Sequence, residues 1–196
     1  MSFGLSSNNL RSRRLVVLLA LVLAPHAVHG QEDPGSFDVR SASVRLDSGV
    51  YYLDTWVEYR LSTDAREALD AGVPLTIDLE VEFINPRWYW TDENSGDLRQ
   101  GYRLEYHALS ERYIVLNLNS GEQTTFATVF SALNQLGRIT NLPLIDAALL
   151  NPDQDYDVRI RTVLSTEDFP GPLRFLAFWR RDWSLRSDWY RWQLDD

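Results

Sequence analysis

The clearest pattern in the chain is the alternation between residues 75 and 83. Leu75, Ile77, Leu79, Val81 and Phe83 are separated by Thr76, Asp78, Glu80 and Glu82. A period of two with acids on the alternate side predicts a strand that rests one face on a core, as antiparallel sheets do. Phe37–Leu46 and Val50–Leu61 flank Asp47-Ser48-Gly49, a compact hairpin signal. A second hairpin pairs Leu98–Ala108 with Arg112–Leu118 around Leu109-Ser110-Glu111. In it Tyr102, Leu104 and Tyr106 face one way, and Arg103, Glu105 and His107 the other. Tyr156, Val158, Ile160 and Leu164 mark a later strand with Asp157, Arg159 and Arg161 outward, and Tyr190, Trp192 and Leu194 a final one.

Two helices interrupt the strands. Asp64–Ala71 has Ser62 or Thr63 to cap it and Gly72 just past its end. Phe126, Val129, Phe130, Leu133 and Leu136 recur at helical steps, with Thr124 or Thr125 as cap and Gly137 as stop. Residues 138–152, which include Pro143 and Pro152, read as a loop. Short strands in hairpin order with helices only as connectors predict a mainly β fold, an antiparallel β-sandwich of Ig-like general architecture. A curved sheet with the second helix packed on it is the alternative.

The N-terminus has a different character. Arg11, Arg13 and Arg14 precede the apolar run Leu15–Ala24, Pro25 breaks it, and Val28-His29-Gly30 offers compact side chains before Gln31. This is the layout of a secretory signal peptide, because ten apolar residues at about 1.5 Å each fall short of a bilayer core of ~30 Å. Residues 1–30 are therefore expected to be a signal peptide, 31–36 a flexible leader and 37–196 a single β-rich domain. The expected location is the periplasm, with no membrane span once the signal is removed. An uncleaved anchor is the competing arrangement.

Composition removes several chemistries. The 196-residue chain has no cysteine, which excludes disulfides and thiolate chemistry. Residues 31–196 carry 16 arginines, no lysine and 28 acids, a formal charge of −12 that repels phosphate backbones and makes nucleic acid a poor partner. His107 is the one histidine of that segment, on a charged strand face that does not resemble a catalytic triad. Asp153, Asp155 and Asp157 are spaced like the first ligands of a calcium loop. However, Val158 stands where that loop needs glycine and Leu164 where it needs glutamate. A glycosidase-type carboxylate pair would need only two convergent acids, although most acids here fit the outer faces of strands. No catalytic, cofactor or metal-binding residue is assigned, and the chain is read as non-enzymatic.

Aromatic residues are the anomaly. The chain has seven tryptophans, and aromatic residues cluster at Trp88-Tyr89-Trp90 and again across Phe175–Trp192. Adjacent aromatics in an extended segment point to opposite sides, so some must leave the core. Exposed Trp and Tyr interleaved with Arg are favoured at protein interfaces and would equally stack on sugar rings. The candidate interaction surface is Trp88, Tyr89, Trp90, Trp179, Trp183, Trp189, Arg180 and Arg186. A Trp-heavy core sealed by Arg stems would use the same residues.

The segments Phe130–Ile139, Pro143–Asp146, Tyr156–Arg161, Phe169–Arg174 and Asp182-Trp-Ser-Leu-Arg-Ser-Asp-Trp189 follow one another in order. This order resembles an uncharacterised family of exported proteobacterial proteins, a domain of unknown function, over roughly residues 35–194. The resemblance implies a signal peptide and no assigned catalytic residues. Family genes near a membrane sensor kinase of the nitrogen-regulation type imply a link to signalling. The expectation is a non-catalytic exported module that binds an envelope protein, with no cofactor. The alternative is a carbohydrate-binding or carboxylate-dependent glycan-active protein.

Overall fold

In the computed structural model, which describes residues 33–85, 93–165, 171 and 183–194, the alternating segments all become strands. Strands β1 (Ser36–Asp47) and β2 (Val50–Arg60) form the first hairpin. Its two-residue turn has positive φ at Ser48 (52°) and Gly49 (84°), the handedness that matches the twist of the strands. Helix α1 (Thr63–Asp70) follows, with the Ser62 hydroxyl accepting from the Ala65 N–H and Ala65 and Leu69 buried beneath it. Then come β3 (Leu75–Asn85), β4 (Glu93–His107), β5 (Arg112–Asn117) and β6 (Gln123–Phe126). Helix α2 (Val129–Leu136), β7 (Arg138–Asp146), β8 (Asp157–Ser165) and β9 (Tyr190–Gln193) complete the described elements.

The pairing makes two antiparallel sheets, a three-stranded β1-β2-β7 and a six-stranded β6-β5-β4-β3-β8-β9. Their inner faces enclose two apolar clusters. One gathers Phe37, Val57 and Tyr59 against Leu75, Ile77 and Leu104, with α1 and α2 contributing Leu69, Ala132 and Leu136. The other joins Leu53 and Ile139 to Leu79, Val81, Phe83, Val158 and Ile160. The domain is therefore a mainly β sandwich.

Two local expectations are corrected. Residues 138–146 are strand β7, where a loop was expected. Pro143 hides the strand pattern, but β7 lies at a sheet edge, where a missing N–H is tolerated. Register shifts at Tyr51/Tyr52 and Leu53/Thr55 further break its alternation. Helix α2 also starts later than expected. Gln123–Phe126 pairs with β5, so Phe126 belongs to a strand and the cap is Thr128, whose hydroxyl accepts from the Ser131 N–H at 3.1 Å.

The outer face of the six-stranded sheet is a ladder of ion pairs. Arg161 Nε donates to Glu80 Oε2 at 2.6 Å, Arg159 Nη2 to Glu82 Oε2 at 2.6 Å and Arg191 Nε to Asp157 Oδ2 at 2.7 Å. Asp78, only 4% exposed, accepts from Arg99 Nη2 at 2.5 Å. The acids that alternate along β3 are thus neutralised across the sheet by arginines of β8 and β4.

Candidate functional site

The outer face of the small sheet carries the most exposed tryptophan among the described residues. On β2, Leu53, Thr55, Val57 and Tyr59 turn inward and are buried, which sends Asp54, Trp56 and Glu58 outward. Trp56 is 50% exposed. Helix α2 buries Val129, Ala132, Leu133 and Leu136. At about 100° per residue, Phe130 falls outside that arc, and it is 75% exposed. The expectation that Phe130 lies on the buried stripe is therefore corrected.

What brings the two aromatics together is Gly137. Its carbonyl accepts from the Val57 N–H at 2.8 Å, fastening the end of α2 against β2. A Cβ on Gly137 would overlap the Val57 carbonyl oxygen, so this approach needs glycine. Trp56 and Phe130 then line one notch of about 240 Å³, together with Glu58, Leu133 and Asn134. On the other side of Trp56 lies a groove of about 420 Å³, lined by Ser41, Ser43, Asp54, Arg138 and Thr140.

A third opening, of about 260 Å³, lies where the sheets part between β7 and β5–β6. Tyr102, Glu122, Gln135 and Arg138 line it above Val115, Leu136 and Ile139. Burial, aided by the Glu122 carboxylate, pushes the Tyr102 phenol up from its ordinary pKa.

Of the residues singled out from sequence, those that the structure describes have separate roles. Trp183 is 7% exposed and packs in the core with Leu185, so it is not an open contact residue. The reason is pairing: the Leu164 N–H donates to the Leu185 carbonyl and Val163 bridges Arg186, which turns 183 and 185 inward and leaves Arg186 exposed. Trp189 is half-buried over Arg159 and Arg161, with guanidinium carbons 4.4 and 4.3 Å from its ring centroid. Trp88, Tyr89, Trp90, Trp179 and Arg180 lie outside the described residues.

The remaining candidates have local roles. His107 is exposed at the hairpin end with Nδ1 2.9 Å from Ser110 Oγ. Among the described residues, no group of three or more His, Asp or Glu is arranged to hold a metal ion. Asp157 belongs to the ion-pair ladder, whereas Asp153 and Asp155 are exposed. Trp56 is not among the sequence candidates, although the alternation of β2 places it outward between Asp54 and Glu58.

Residues 35–193 match the family described as Domain of unknown function (DUF4390). The chain belongs to this family. The match spans every described strand and both helices of the sandwich, so the DUF4390 domain and the folded unit coincide. Comparison with curated proteins and with solved structures finds no match. No helix among the described residues of this DUF4390 chain is long and apolar enough to cross a membrane.

Proposed function

We propose that this DUF4390 domain is a non-catalytic binding module that docks an envelope protein on the outer face of its three-stranded sheet. The observation that carries this reading is the pairing of two exposed aromatics, Trp56 and Phe130, in one notch. Large apolar side chains left open at a rigid, sheet-backed position are what interface hot spots use, and Trp is the residue most enriched there. Glu58 and Arg138, on β2 and β7 beside Trp56, supply a charged rim. Export to the periplasm is part of the same proposal and rests on the apolar run Leu15–Ala24 with its arginines. The link to a membrane sensor kinase rests on the family resemblance alone.

The test is recovery of cross-linked partners from cells carrying Trp56→Ala or Phe130→Ala. Each substitution should reduce recovery of one specific protein about tenfold or more, equivalent to ~1.4 kcal/mol, without lowering the thermal transition. Undiminished recovery with both variants would refute the assignment of this face.

A further inference from the structure

The groove on the opposite side of Trp56 differs in chemistry from the aromatic notch. Its walls come from three strands: Ser41 and Ser43 of β1, Asp54 and Trp56 of β2, and Arg138 and Thr140 of β7. The outward register sets Ser41 and Arg138 on either side of Trp56, each directly paired with it. Neither the two serine hydroxyls nor that of Thr140 has a partner among the described residues. The charged groups are held in place. Asp54 Oδ1 accepts from the Asn141 N–H at 2.9 Å with Arg45 3.6 Å from Oδ2, and Arg138 Nε donates to Asn134 Oδ1 at 3.0 Å. At about 420 Å³ the groove falls within the usual ~300–1,000 Å³ of ligand sites.

We infer that this groove is a saccharide-binding site in which a pyranose ring stacks on Trp56. A pyranose has an apolar C–H face and a rim of hydroxyls, each both donor and acceptor. The groove offers the complement: one aromatic plate, three hydroxyls able to donate or accept, one fixed carboxylate acceptor and one fixed guanidinium donor. Serine and aspartate are depleted in protein interfaces, so this side of Trp56 suits a polyhydroxylated ligand better than a protein segment.

The inference goes beyond the protein-docking reading, and its test needs no protein partner, so either can fail alone. Purified protein is titrated with chitotetraose, cellotetraose and maltotetraose at millimolar concentrations. Heat is followed together with the Trp56 indole N–H resonance, assigned by its loss in Trp56→Ala. At least one sugar should bind saturably and shift that resonance. Affinity should fall at least tenfold in Trp56→Ala and in the double variant Ser41→Ala/Ser43→Ala, both folded as judged by an unchanged thermal transition. Absence of binding by all three sugars would overturn the inference, as would binding that Trp56→Ala leaves intact.

Discussion

The Trp189 ring lies 4.3 Å from the guanidinium carbon of Arg161, whose Nε donates to Glu80 at 2.6 Å. Arg161 is thus held edge-on by a carboxylate and face-on by an indole, and Arg159 repeats the arrangement with Glu82. This accounts for one of the aromatic–arginine pairings in the C-terminal segment. The ring covers an ion-pair ladder, and among the described residues Trp56 is the open tryptophan. Trp189→Ala should therefore lower stability by about 1–2 kcal/mol, the value of a partly desolvated cation–π contact. Trp56→Ala should stay within about 0.5 kcal/mol. Urea midpoints at constant m-value decide it, and equal losses for both would contradict this division of roles.

Gly137→Ala should be among the most damaging single-methyl changes. The added carbon meets the Val57 carbonyl, a backbone atom that cannot rotate away. Separating α2 from β2 would cost about 2 kcal/mol or more. It would also move Phe130 away from Trp56. Unchanged thermal stability for this variant would show that the approach is looser than described.

The strands were legible wherever one face met the core and the other met water. Leu75–Phe83 and both hairpins needed only the two-residue period and the turn residues. Strand β7 was not, because Pro143 and two register shifts erase its alternation and an edge position excuses the proline. The binding face was half legible. The alternation of β2 points Trp56 outward, but its meeting with Phe130 depends on a contact between Gly137 and Val57, eighty residues apart, that no local pattern encodes. Trp183 misled for the converse reason. Clustered aromatics look like a surface until pairing with β8 turns one of them into the core.

The interior contains a polar misfit. Tyr59 and Thr162 lie close together between the sheets, but neither hydroxyl reaches hydrogen-bonding geometry. Replacing Tyr59 by Phe removes a buried unsatisfied group and should leave stability unchanged or raise it by about 1 kcal/mol.

The same residue sets an alkaline limit. Burial raises the Tyr59 phenol well above its ordinary value. Above pH ~10 the unfolded chain gives up that proton while the folded one keeps it. Stability is then fully present below pH ~10 and falls by about 1 kcal/mol per pH unit as pH rises from there. Tyr59→Phe should flatten this decline in thermal melts between pH 9 and 12. An identical decline in the variant would assign the limit to other groups.

Asp78 is the most buried acid of the ladder, and Arg99 reaches it at 2.5 Å. Asp78→Asn should cost about 2 kcal/mol in chemical unfolding, the range for a hydrogen bond to a charged group. Asp153→Asn, at an exposed turn, should stay within about 0.5 kcal/mol. Equal effects would mean that the ladder does not stabilise the sheet.

The most direct test of the docking face is in-cell photo-cross-linking with a benzophenone amino acid at position 130, compared with the same probe at position 109. Leu109 is 95% exposed on the β4–β5 hairpin end and does not line the Trp56 notch, so it reports non-specific encounters. One discrete cross-linked envelope protein is expected from position 130 that position 109 does not yield. No adduct at 130, or the same adducts from both positions, would contradict it.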